Sequence, residues 1–137
     1  FELDQARKGQ MLGQVFSVFV NSDEDPSQYY ELAIQQLDTL EAWTMRNQEQ
    51  LMWVSNPEQL ELARMQGRFA VMSGVEGGHV LEEDPSKLDS LAKRGICYLT
   101  ITWNNSTGWA TSAADEVTKA DSLPFKAAGG VMVLATG

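Results

Sequence analysis

Residues Phe69-Ala70-Val71-Met72-Ser73-Gly74-Val75-Glu76-Gly77-Gly78-His79, FAVMSGVEGGH, decide how this chain folds. The first seven are apolar or small and read as a buried strand. An acid, two glycines and the only histidine of the sequence follow at once. Upstream, Asn56-Pro57-Glu58-Gln59 is a helix start. Leu60 and Ala63 lie on one face of that helix and Gly67 is its stop. Downstream, Asp84-Pro85 opens another helix, with Leu88, Leu91 and Ala92 facing inward and Gly95 at its end. Ile96 to Thr102, ICYLTIT, is the next strand. Strands that alternate with helices predict βα units.

The same rhythm extends in both directions. Val15-Phe16-Ser17-Val18-Phe19-Val20 is a short apolar run and predicts a buried strand. Asp25-Pro26-Ser27-Gln28 follows, with Asp25 as cap, Pro26 at the first helical position and Gln28 at a capping-box spacing. Tyr30, Ala33, Leu37, Leu40 and Trp43 then recur at helical spacing, so the helix runs to about Asn47. Trp43, Met45 and Trp53 are expected in the core. Residues 104–126 are polar and poorly patterned, an irregular loop region. Val131-Met132-Val133-Leu134 is a last short strand. Hairpin turn signals are absent, so the expected fold class is α/β with a parallel sheet. Four strands and three helices make either a small open sheet or part of a barrel. Both architectures put functional residues at the carboxyl ends of strands.

The 137 residues suffice for one domain with a core. A net charge of −9 speaks against a nucleic-acid partner, which needs clustered Lys and Arg, and favours solubility. No run approaches the roughly 18 apolar residues of a membrane-spanning helix. No signal peptide is visible, and the chain starts at Phe1, so secreted, periplasmic and cytoplasmic locations all stay open. The oligomeric state stays open too, a homodimer included. Cys97 is the only cysteine; with apolar neighbours it is expected as a buried strand residue and not a nucleophile.

Glu76 stands just past a strand, and Gly77 and Gly78 leave room for an ion or ligand to approach. From the residues alone it is either a metal-binding carboxylate or a solvated acid in a turn. One histidine cannot build a zinc site, so His79 reads as a locally hydrogen-bonded loop residue. GVEGGH lacks the lysine of a phosphate loop and the spacing of a dinucleotide site. No GxSxG elbow occurs. Trp103-Asn104-Asn105 follow the third strand and should share the rim with Glu76. They either line a substrate pocket or close the core and satisfy the loop backbone. Asn104-Asn105-Ser106 and Asn105-Ser106-Thr107 match the glycosylation sequon, which matters only in a secretory eukaryotic setting. The acids at 23–25 and 82–84 precede helix starts and read as caps.

Taken in order, GQVFSVFV, VMSGVEGGHVLEED and LAKRGICYLTITWNNSTGWATS resemble the membrane (renal) dipeptidase family of zinc peptidases, from about Asp4 to Ser112. The resemblance implies a (β/α)8 TIM-type barrel of the metal-dependent hydrolase kind, of which this chain is a part. It implies two zinc ions at the strand carboxyl ends, with a metal-bridging water attacking the peptide bond of a dipeptide. The bridging carboxylate of that family carries over to Glu76, and no metal role carries over to His79. The substrate-contacting histidine of the family corresponds to Trp103, a change expected to alter specificity, with Asn104 beside it in the substrate wall.

This chain also departs from the family pattern. The HxD motif of the first strand is absent, and so are the two later ligand histidines and the acid that handles protons. Ala128-Gly129-Gly130-Val131-Met132-Val133 resembles a strand late in the barrel, so a segment is expected to be missing between about 119 and 131. The expectation is a partial chain of a zinc dipeptidase. The alternative is a non-catalytic binding or structural domain, or an inactive truncated paralogue, on the same scaffold.

Overall fold

The computed structural model describes residues 1–115 and the backbone of 125–126 and 132–134. In chain order the elements are helix α1 (Leu3–Lys8), strand β1 (Gly13–Phe19), helix α2 (Tyr29–Arg46), strand β2 (Leu51–Trp53), helix α3 (Pro57–Met65), strand β3 (Phe69–Glu76), helix α4 (Ser86–Lys93), and strands β4 (Tyr98–Thr100), β5 (Ala110–Thr111), β6 (Phe125–Lys126) and β7 (Met132–Leu134). Short 3-10 turns cover Pro26–Gln28 and Gly78–Leu81.

β3 is the centre of the sheet. β1 pairs along one edge, parallel, from Gly13 opposite Ala70 to Phe19 opposite Glu76. β2 and β4 share the other edge, both parallel, at Phe69–Val71 and at Val75. The last strand does not follow the parallel expectation: β7 pairs antiparallel to β4, Leu134 with Tyr98 and Met132 with Thr100. A parallel neighbour needs a crossover, usually a helix, and the polar stretch after β4 has no helical periodicity. β5 and β6 form a separate parallel pair within 104–126. The expected missing segment between about 119 and 131 lies outside the described residues, apart from Phe125 and Lys126.

The start signals act locally as read. The Asp25 carboxylate accepts from Ser27 N at 3.0 Å, Asn56 from Gln59 N at 2.9 Å and Asp84 from Ser86 N at 2.9 Å. Successive strand residues point to opposite faces. Val71, Ser73 and Val75 are fully buried on one face, and α2 packs there through Ala33 and Leu37, both fully buried. α3 packs on the opposite face, where Ala63 meets Ala70 and Val54 with Met52 and Met72 alongside. By alternation that is the face of Glu76. It is closed at the amino ends of the strands and open at the carboxyl ends.

Several core expectations fail: Ala92, expected to face inward, and Val15, expected in a buried strand, are both exposed. Met45 is 73% exposed while Thr44 is buried. Met45 lies about 80° round the helix from Leu37, off the buried stripe. Cys97 is half-buried and sits one residue before β4, its N–H donating to Ser73 O at 2.7 Å. β4 is shorter than the run Ile96–Thr102; beyond its end the Ile101 carbonyl accepts from Gly78 N at 3.1 Å. α1 and β2 were not expected: six and three residues are too few to show a period.

Candidate functional site

Glu76 is the last residue of β3. The register lines the open face in rows. Phe19, Glu76 and Thr100 form the outermost row, and Ser17, Gly74 and Tyr98 the next one down. Gly74 is required there by its neighbour: a Cβ on it would lie 2.2 Å from the Tyr98 ring. The ring of Tyr98 therefore lies across β3 as a floor beneath the Glu76 row.

Beyond Glu76 the chain turns sharply. Gly77 has φ +96°, a conformation that disfavours a side chain. Its N–H donates to Thr100 Oγ1 at 2.7 Å, and Gly78 N donates to Ile101 O at 3.1 Å. Gly78 is also packed tightly, since a Cβ there would lie 2.4 Å from Ile101 O and 2.7 Å from the Trp109 ring. His79 is 6% exposed and turns to the α2 side, where its Nε2 bonds to Val20 O at 2.9 Å and its ring meets Tyr29 edge-on at 5.0 Å. Its bond reaches across the fold to residue 20, so the expected local partner is not the one found.

Trp103 reaches the rim. Its ring lies 4.8 Å from that of Phe19, the register partner of Glu76, and it is 38% exposed. Asn104 follows, exposed, with its backbone carbonyl accepting from Ser112 Oγ at 3.1 Å. So the structure brings Glu76 and Trp103 to one rim and turns His79 away from it. Phe19, Thr100 and Tyr98 were missed as site residues. Period-2 alternation along each strand carried that signal, once the register was known.

The acids after the turn hold the rim in place. Glu82 Oε1 accepts from Tyr30 N at 2.8 Å and its other oxygen pairs with Lys87. Burial raises the Glu82 pKa, but the bonds from Lys87 and Tyr30 outweigh it and the net position is below the ordinary value. Glu83 Oε1 accepts from Gly108 N at 2.8 Å, tying the loop after β4 to the turn after β3. Neither Glu82 nor Glu83 caps the helix that follows, contrary to the expectation from sequence; they have φ of 49° and 60°, so both contacts are made at some backbone cost. Burial pushes the Cys97 thiol up, against a nucleophilic role.

Among the described residues no group of three or more His, Cys, Asp or Glu side chains is placed to hold a metal ion. Glu76 can supply one carboxylate ligand. This donor set does not make a metal centre on its own.

The parallel βα core of the sheet, like the solved structures below, makes the chain part of a (β/α)8 barrel, with Glu76 at the carboxyl end of its central strand. The sequence model of the membrane dipeptidase family, peptidase family M19, matches residues 1–133, and the chain belongs to that family. Dipeptidase 3 of Homo sapiens is 33% identical over 111 residues, which cover 81% of this chain and 22% of the relative. Dipeptidase 3 of Mus musculus is 32% identical over the same span. The chain thus spans about a fifth of the length of these relatives. Among solved structures, the probable dipeptidase PvdM from Pseudomonas aeruginosa superposes with a TM-score of 0.72 at 23% identity, over 82% of this chain and 30% of that one. A metallo peptidase from Rhodobacter sphaeroides, liganded with a phosphinate mimic of the dipeptide L-Ala-D-Ala, has a TM-score of 0.72 at 15% identity, over 81% and 38%. No helix of the described residues is long and apolar enough to cross a membrane.

Proposed function

We infer that the full-length protein hydrolyses dipeptides with the help of bound metal, zinc being the expected ion, and that Glu76 bridges two such ions. The observation that carries the reading is the place of Glu76. It ends the central parallel strand on the open face, with glycines beside it and an aromatic wall along it. Metal-dependent relatives of the same family support the ion, and the dipeptide mimic bound by the Rhodobacter sphaeroides protein supports the substrate class. The ions, when bound, lower the pKa of water and polarise a carbonyl. The remaining ligands have to come from outside the described residues.

The part of this chain is then to present one carboxylate and part of the substrate wall. Trp103 and Asn104 line that wall, with Phe19 backing Trp103 and Tyr98 below. The same reading takes a homodimer as the assembly, which light scattering on full-length protein checks. The deciding experiment is dipeptide hydrolysis by full-length protein with and without chelator. Turnover should stop with chelator and return with zinc; chelator-insensitive turnover would sink the proposal.

A further inference from the structure

The geometry points to His79 as a positioning residue for Glu76, an inference that rests on the reading of Glu76 given above. The β1–β3 ladder runs in register to Phe19 and Glu76 and stops there. The next rung would pair Val20 with Gly77. Instead, Val20 O is bonded to His79 Nε2 at 2.9 Å, and the Gly78 N–H that would have reached it donates to Ile101 O at 3.1 Å. The imidazole therefore stands in for the missing rung.

A carbonyl only accepts, so Nε2 carries the proton. The other ring nitrogen, Nδ1, is buried with no hydrogen-bond partner among the described residues. It lies against Gly77: a Cβ on that glycine would be 2.4 Å from it. The ring fills the wedge that opens where the two strands part, and the Tyr29 ring, 86° to it, holds it from the other side. Val20 is 2% exposed, so its carbonyl has no solvent to replace a lost donor. Without the donor, the Val20 carbonyl is left unsatisfied beside the turn, and the point at which β3 leaves the sheet after Glu76 loses one of its supports.

The test uses full-length protein and zinc. His79→Leu keeps most of the volume and removes the donor. His79→Gln keeps an N–H close to the position of Nε2. Zinc affinity of the metal-free protein is measured by competition with a chelating dye, alongside kcat, KM and the thermal midpoint. His79→Leu should weaken zinc binding by about 10- to 100-fold, the usual effect of a partner that orients a ligand, and His79→Gln should restore most of it. A His79→Leu protein that binds zinc as tightly as the parent overturns the proposal. So does a folded His79→Gln protein as weak as His79→Leu. If His79→Leu does not fold, His79→Asn, whose shorter amide cannot reach Val20, takes its place against His79→Gln. Glu76→Ala in the same assay separates the two ideas. If it leaves zinc binding intact, both fall; if it weakens binding while His79→Leu does not, only the role of His79 falls.

Discussion

Phe19 and Glu76 face each other across the last rung of the β1–β3 ladder. The rung is held from both sides. The backbone of Phe19 is clamped by the Gln36 amide of α2, which accepts from Phe19 N at 3.1 Å and donates to Phe19 O at 2.7 Å. Phe19 in turn supports the Trp103 ring. The height of the Glu76 carboxylate is therefore set against an aromatic wall that α2 keeps in place.

Removing the carboxylate tests the site directly. Glu76→Ala in full-length protein should lose metal stoichiometry and lower dipeptide hydrolysis by at least about 100-fold, the upper end of what even outer-sphere partners cost. Glu76 is only partly buried, so the fold should survive. Metal analysis and kinetics on the same preparation check this, and full metal occupancy with normal turnover would remove Glu76 from the site.

Gly74 is predicted to be intolerant of a methyl group. Gly74→Ala places a Cβ 2.2 Å from the Tyr98 ring, and overpacking of this kind costs about 1–3 kcal/mol. Urea denaturation of the single variant and of Gly74→Ala with Tyr98→Ala reads the coupling. If the two effects simply add, the ring does not lie where described.

Gly77→Ala should cost more than an ordinary surface glycine change. Its φ of +96° is strained for any side chain, and a Cβ there would lie 2.3 Å from His79 Cε1. A loss of about 1–3 kcal/mol from backbone strain alone is expected. Gly67 has φ +65° but open space around it, so Gly67→Ala is the control that lacks the clash.

Acid should weaken the rim through Glu82 and Asp84. Two bonds from Ser86 hold Asp84 below its ordinary 3.8, and Glu82 lies below 4.5 for the reasons given above. A carboxylate whose folded pKa is lowered adds stability above its unfolded value and loses it as pH falls through the folded one. Stability should therefore begin to fall below about pH 4.5. Glu82→Gln should cost about 1–2 kcal/mol near neutral pH and flatten the acid limb. Denaturation midpoints from pH 7 to pH 3 decide it, and an unchanged acid limb would count against the Glu82 bonds.

Much of the architecture was legible because its causes are local. Asp25, Asn56 and Asp84 each cap the turn of their own segment, and the 3.6-residue period of Ala33 and Leu37 predicts the buried stripe of α2. The misses are equally physical. Met45 belongs to the same apolar pattern by composition but falls off the stripe by angle. The direction of β7 depends on what its connection can span, which no short window of sequence contains.

The sequence by itself determined the βα rhythm, the strand that ends at Glu76 and the glycines that follow, since propensity, capping and period act within a few residues. Only the tertiary structure decided which residues stand beside that glutamate. Phe19 is 57 positions away along the chain and Thr100 is 24 away, and parallel register joins them to one row. It also decided the place of His79. A histidine three residues after a carboxylate is turned to the opposite side of the sheet, where its imidazole satisfies the buried carbonyl of Val20.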